Sequence, residues 1–312
     1  MGVKKVLLDV DTGVDDAHAL LLALRAPALE VIGITTVAGN VDIEQVTANT
    51  LKVLDIARAP DIPVAKGMAH PLVEPTHYVP EIHGQDGLGN LNPPPSKREL
   101  VNAHAVNFLI ETLMAAPEPI TLIPLAPLTN IGTALRLEPR IGEKIEQIVL
   151  MGGSAFAGGN ATQWAEANIF YDPEAAHIVF SSGLPIVMYG WDVYVQVEFT
   201  RQEVQEFLDS PNPRAQFAGR LMMYDINTFG LEAAGIGDAG AVAAVIQPQG
   251  LTTRHMHVTV ELHGAETRGM TVVDPRTMVI TPDRPPRPAN VQVGVAVDAQ
   301  AFKELYRETL LA

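Results

Sequence analysis

The sequence predicts an α/β fold: a single domain with a mostly parallel central sheet flanked by helices, plus a small antiparallel hairpin extension. Three observations carry this. Short apolar runs such as Val6 to Val10 and Glu30 to Val37 read as buried strands. Stretches with apolar residues at helical spacing lie between them, and that alternation implies βαβ units. Unusual polar residues follow successive strands, where open parallel sheets bind ligands.

The elements follow in order. After the first strand, Gly13 marks a turn, and Ala17 to Ala26 forms a helix that Pro27 stops. Beyond the second strand, Ala38-Gly39-Asn40 turns into a helix over Ile43 to Ala57, with Val46, Leu51, Leu54 and Ile56 facing inward. Ile62 to Ala65 is a short third strand. His70 to Pro95 is rich in Pro, Gly, His and Asn and reads as a long working loop or lid. Alternation resumes with helix Val101 to Ala115, strand Ile120 to Leu125 and a helix ending at Leu137. Strand Ile145 to Leu150 leads into an irregular stretch reaching Asn168. Helix Pro173 to Ser182 and strand Ile186 to Tyr189 come next. Helices then cover Thr200 to Leu208, Ala215 to Phe229 and, opened by Asp238, Ala239 to Ile246. His255 to Leu262 and Met270 to Val273 alternate as an antiparallel pair, which places His255 and His257 on a solvated face. Pro282 to Pro288 is a rigid surface connection. Strand Val291 to Val297 and helix Ala299 to Leu310 close a chain that shows no repeat and no linker, so 1–312 is one domain.

Composition narrows the function. The 312 residues are 47% hydrophobic but only 5% aromatic, so aliphatic side chains build the core. A net charge of -15 argues against nucleic acid or an anionic membrane as partner. With no cysteine, disulfides, thiolate metal sites and a cysteine nucleophile are excluded. Met1 to Lys5 lead straight into the first strand without a signal-peptide layout, and no apolar run is long enough to span a membrane. The expectation is a cytoplasmic protein.

The chemistry concentrates at the first strand. Asp9, Asp11, Asp15 and Asp16 crowd its carboxyl end. A helix start favours one or two acids, through free N–H groups and the helix dipole. Four so close repel one another, which signals a cation or raised pKa values. A hard cation such as Ca²⁺ takes six to eight oxygens, and Asp11, Asp16 and Asp238 with the Thr129 carbonyl are candidates. Asn40, Thr129 and Asn130 follow later strands, as do Met151, Asn160, Glu166 and Asn168. On an extended segment Glu166 and Asn168 point the same way and suit adjacent sugar hydroxyls. Each is an ordinary loop residue taken alone; together at one sheet edge they are not. The histidines show no zinc spacing.

Asp9-Val10-Asp11-Thr12-Gly13-Val14-Asp15-Asp16-Ala17 resembles the N-terminal signature of the inosine-uridine-preferring nucleoside hydrolases. Similar blocks recur in order along nearly the whole chain: Val37 to Asn40, Ile82 to Gly89, Pro127 to Asn130, Met151 to Gly153, Gly159-Asn160, Ala165 to Ile169, Asp172 to Ala176 and Arg268 to Asp274. The resemblance implies hydrolysis of a ribonucleoside to ribose and free base at a bound Ca²⁺, in nucleoside salvage or catabolism, by a homodimer or homotetramer. It implies that Asp11, Asp16, the Thr129 carbonyl and Asp238 hold calcium, with Asp11 as the base that activates a metal-bound water. Asp15, Asn40, Asn160, Glu166, Asn168 and Asp238 would contact the substrate, Met151 would lie beneath the ribose, and Asp9 would orient its neighbours.

Two departures stand out. The family often places a histidine just before the C-terminal metal aspartate, to protonate the leaving base, and here Gly237 takes that place. The aromatic often found between the glutamate and asparagine is Ala167. Leaving-group activation then falls to His83, or to stacking by Trp164, Trp191, Tyr224 or Phe229, although Trp191 and Phe229 fit a core equally well. Two rivals remain: a haloacid-dehalogenase-type phosphatase, from Asp9-Val10-Asp11-Thr12, and a calcium-dependent nucleoside binder without turnover.

Overall fold

In the computed structural model, residues 2–279, 282, 283 and 285–312 are described. The predicted connection over 282–288 includes Arg284, which lies outside them, as does Met1. The first part of the chain forms β1 (Lys4–Val10), α1 (Val14–Arg25), β2 (Leu29–Thr36), α2 (Ile43–Ala57), β3 (Val64–Lys66), α3 (Pro80–His83), α4 (Ala105–Ala115), β4 (Ile120–Pro124) and α5 (Thr129–Leu137). Next come β5 (Ile145–Met151), α6 (Ala167–Tyr171), α7 (Pro173–Phe180), β6 (Ile186–Tyr189), α8 (Trp191–Tyr194), β7 (Glu198–Thr200) and α9 (Arg201–Asp209). The last part holds α10 (Pro213–Phe229), β8 (Ala233–Gly235), α11 (Ala239–Ile246), β9 (Leu251–Val260), β10 (Thr271–Asp274), β11 (Val291–Val297) and α12 (Ala299–Leu311).

Among the described residues, one nine-stranded sheet runs β10-β9-β11-β6-β5-β4-β1-β2-β3. It is parallel from β11 to β3, and the expected antiparallel hairpin, β9 with β10, forms its other edge. β1 sits inside, in parallel register with β2 and β4. Its apolar run has to satisfy both faces: Val6, Leu8 and Val10 join one core cluster and Leu7 the other. The first cluster includes residues of α1, α2, α10, α11 and α12, and the second includes those of α4, α5 and α7. Helices therefore cover both faces, as parallel strands require.

Most predicted elements appear within a few residues, with instructive exceptions. In α2, Val46, Val53 and Leu54 are buried, while Leu51 and Ile56 are only half-buried because they fall beside that stripe. The helix expected from Val101 starts at Ala105, since His104 caps it by accepting from the Val106 N–H at 3.3 Å. The segment through Glu166 and Asn168 is not extended. Glu166 caps the short helix α6 and Asn168 lies inside it. The pair β7 and β8, a separate two-stranded sheet, was not expected at all.

The stretch after β3 is a packed loop. Asp86 accepts backbone N–H bonds from Leu88, Asn90 and Asn92 at 2.7 to 2.8 Å, and Asn49 Nδ2 donates to its carbonyl at 2.7 Å. Leu88 is fully buried. Further back, the Leu72 N–H donates to Asp172 at 3.0 Å, and Arg268 pairs with Glu74 and Glu174. These ties bring His83 to the sheet's carboxyl edge.

Candidate active site

The strand ends of β1, β2, β4 and β5 place the predicted residues in one region. Asp9, at the end of β1, is buried. Its Oδ1 accepts from Thr35 Oγ1 at 2.6 Å and from Asn130 Nδ2 at 2.8 Å, while its Oδ2 has no partner. Burial pushes its carboxyl up to about 7, against those two hydrogen bonds. Asn130 also donates to the Thr36 carbonyl and accepts from the Met68 N–H, so it ties β1, β2 and α5 together.

Asp11 Oδ2 accepts the Asn40 backbone N–H at 2.8 Å, and its Oδ1 is buried without a partner. That approach needs glycine beside it: a Cβ on Gly39 would lie 1.9 Å from Asp11 Oδ2. Asp16 accepts from the Asp11 N–H (3.2 Å), the Gly13 N–H (2.9 Å) and Asn40 Nδ2 (3.2 Å), closing the turn ahead of α1. Burial and then the charge of Asp15 push Asp16 to about 8. Burial and then Asp16 and Asp15 drive Asp11 well above the usual carboxylate range. Asp238, ahead of α11, makes no cap bond and leaves Oδ1 unpartnered. Its carboxyl is raised too, by burial first and the neighbouring acids second.

Asp15, Asp16 and Asp238 each offer an oxygen within 4.8 Å of the others, a group that could hold a metal ion. Asp11 lies against them through Asp16, with its free oxygen unspent. Thr129 Oγ1 is bonded to Asp172 at 2.7 Å, so the side chain is occupied and its carbonyl is the predicted ligand. Of four orphaned carboxylate oxygens among the described residues, Glu174 carries one and Asp9, Asp11 and Asp238 the others, and such groups are costly in a dry interior. A cation would satisfy such a set, so the donor chemistry fits a hard divalent ion.

Beside the acids lies a hollow of about 510 Å³ that brings together Asp15, Asn40, His83, Met151, Asn160, Glu166 and Asn168. A larger hollow, about 850 Å³, lies against β9 and β10 and holds none of these residues, so size does not mark the site here. Glu166 accepts from the Gly153, Asn168 and Ile169 N–H groups at 2.8 to 3.3 Å, and burial lifts its carboxyl to about 7. Asn168 spends its amide protons on the Leu125 and Met151 carbonyls, at 3.0 and 3.2 Å. Asn160 sits exposed on the rim and accepts from the Ala167 N–H at 2.9 Å. His83 is buried and its Nδ1 accepts the Val14 N–H at 3.1 Å, 3.8 Å from Asp15 Oδ1. Burial holds its pKa down, with Asp15 opposing.

The aromatics divide. Trp191 and Phe229 are not core: Trp191 lines the hollow, and Phe229 is 40% exposed. Trp164 is exposed as well. Tyr194, absent from the sequence expectations, stacks on Trp191 at 4.9 Å and donates its hydroxyl to Asp15 Oδ2 at 3.1 Å. Asp225, also unforeseen, lies four residues after buried Leu221 in α10, an acid on an apolar helix stripe. That spacing was the available signal.

Comparison with known proteins follows the same lines. The family model of the inosine-uridine preferring nucleoside hydrolases matches residues 6–304. The chain is 37% identical to the pyrimidine-specific ribonucleoside hydrolase RihB of Escherichia coli O1:K1 / APEC, over 99% of this chain and 97% of that protein. Among solved structures, a plant nucleoside hydrolase, PpNRh1, superposes with a TM-score of 0.93 at 32% identity, covering 99% of both chains. A purine-preferring ribonucleoside hydrolase from Gardnerella vaginalis gives 0.89 at 34%, covering 99% of this chain and 98% of that one.

Proposed function

The chain belongs to the inosine-uridine preferring nucleoside hydrolase family and is a ribonucleoside hydrolase, and from that premise we propose how its residues share the work and that its ion is calcium. The observation that carries this is the trio of orphaned buried carboxylate oxygens on Asp9, Asp11 and Asp238, beside a hollow lined by amides and acids. Asp11, Asp16, Asp238 and the Thr129 carbonyl would hold the ion, with Asp15 alongside. Bound calcium supplies positive charge, which lets these acids ionise together and lowers the pKa of water at the site.

Asp11 removes the proton of the water that attacks C1′ of the ribose. Asp15, Asn40, Asn160, Glu166, Asn168 and Asp238 hold the sugar and Met151 lies beneath it. Their carboxylates favour the positive charge that C1′ gains as the bond to the base breaks. His83, neutral and accepting at Nδ1, presents Nε2–H to the base as a hydrogen-bond donor. The phosphatase alternative gives way to family membership. The proposal extends to a homodimer or homotetramer acting in cytoplasmic nucleoside salvage; the exposed Phe156, Trp164 and Leu231 are candidate contact residues.

The test is ribose release from inosine, guanosine, adenosine, uridine and cytidine after chelation, then with Ca²⁺ or Mg²⁺ restored. Activity is expected to vanish on chelation and to return with Ca²⁺. Full activity in the chelated enzyme would refute the ion's role, and return with Mg²⁺ alone would refute calcium.

A further inference from the structure

A smaller hollow, about 260 Å³, adjoins the first, and Asp15, Ile82, His83, Trp191 and Tyr194 line both. Its remaining wall includes Phe229, Leu231 and Asp225, while Asn40, Glu166 and Asn168 line only the larger one. On the nucleoside-site reading above, which this inference deepens, ribose among those amides directs the base across Asp15 and His83 into the smaller hollow. The question is what protonates the base there, since Gly237 has no side chain. A side chain could not be added simply: Gly237 has φ +51, and its Cβ would lie 2.6 Å from Asp15 Cβ and 2.8 Å from Tyr194 Oη. Tyr194 fills that space.

The titratable groups lining this hollow are Asp15, His18, His83, Tyr194, Glu198 and Asp225. Asp15 accepts from the Asp16 N–H and the Tyr194 hydroxyl, so it serves as an acceptor. His18 is paired through Nδ1 with the Tyr306 hydroxyl at 2.6 Å, and burial holds it down to about 4. His83 is kept unprotonated at Nδ1 by the Val14 N–H. Tyr194 has its proton on Asp15, and burial drives its phenol well above the ordinary value. Glu198 is exposed. Asp225 differs from all of them. It is half-buried in α10, and its carboxyl makes no hydrogen bond among the described residues.

We propose that Asp225 is the proton donor to the departing base. Burial and then the charge of Asp15 push its carboxyl to about 7, near the value a general acid needs at neutral pH. In the step, the C1′–N bond breaks and its electron pair passes to the base. The Asp225 proton goes to an acceptor atom of the base, leaving a carboxylate. The water oxygen bonds to C1′ and its proton goes to Asp11. Exchange with solvent returns Asp11 and Asp225 to their starting states.

The experiment compares an unactivated ribonucleoside with p-nitrophenyl riboside, whose leaving group departs without a proton. Asp225→Asn is expected to lower kcat on the nucleoside by about 100-fold or more, and hydrolysis of the aryl riboside by less than about threefold. Asp225→Glu should recover part of the nucleoside rate. Tyr194→Phe should slow both substrates alike, since it only frees Asp15. Equal losses on both substrates in Asp225→Asn would overturn the proposal, as would nucleoside-selective loss in Tyr194→Phe with Asp225→Asn unaffected. Asp225→Ser serves if the amide fails to fold. Wild-type enzyme that cleaves the aryl riboside but no nucleoside would overturn the substrate reading instead.

Discussion

Asp11 uses one carboxylate oxygen to accept the Asn40 N–H and keeps the other free. The first bond is structural and the second oxygen is available for chemistry, so one substitution can separate them. Asp11→Asn retains an acceptor for Asn40 and discards the base. Turnover should fall by about 10²–10⁴, with the melting temperature of the chelated protein unchanged or raised, because a raised-pKa buried acid is removed. Ribose release and a thermal melt measure both; near-normal turnover would remove Asp11 from the base's role. Asp11 could be found in the sequence because four acids at one strand end have no ordinary explanation. Tyr194 and Asp225 could not. A single tyrosine or acid in a helix looks ordinary until folding sets it against residues nearly two hundred positions away, as it sets Tyr194 against Asp15.

The long elements were legible because their periods are: α2, α11 and β11 lie where apolar spacing put them. The apolar runs of the short strands β3, β6 and β10 also showed, but the shortest helices and the β7–β8 pair did not. The helices α3, α6 and α8 and the strands β7 and β8 have three to five residues, too few for a period to show. α6 matters most, because Glu166 was read as a ligand in an irregular stretch and is also a helix cap holding three N–H groups. α8 has a similar double use. Its Asp192 accepts from the Ala155, Phe156 and Ala157 N–H groups at 2.7 to 3.0 Å and from Ser154 Oγ at 3.3 Å. This anchors the loop that carries Asn160, without placing Asp192 among the hollow's lining residues. Asp192→Ala should raise KM for nucleosides several-fold and leave kcat nearly unchanged. Steady-state kinetics test this, and an equal fall in kcat would mean the loop also aligns the reacting groups.

At the scale of the molecule, the fold concentrates negative charge that the chain already carries in excess, at -15 overall. Asp9 and Glu166 are raised to about 7 and Asp16 to about 8, chiefly by burial, whereas in the unfolded chain such groups titrate near 4. The native state therefore holds protons that the unfolded chain has already released. Stability from these groups is complete below the unfolded pKa and is lost as pH rises from about 4 until it passes the folded values of about 7 to 8, by up to about 1.4 kcal/mol per pH unit for each group. His18, held neutral with a pKa near 4, acts in the opposite sense, but only at pH values where the unfolded histidine is charged. Between pH 6.5 and 8.5 the carboxyls dominate, so the melting temperature of chelated protein should fall steadily. Ca²⁺ binds the ionised set, and protons compete with it. Its stabilisation should therefore be larger at pH 8.5 than at pH 6.5, flattening the slope. Thermal melts across that range, with chelator and with Ca²⁺, decide it. A chelated protein whose stability stays flat over that range would show that the buried carboxyls are ionised without a cation, and would remove the physical reason for placing one there.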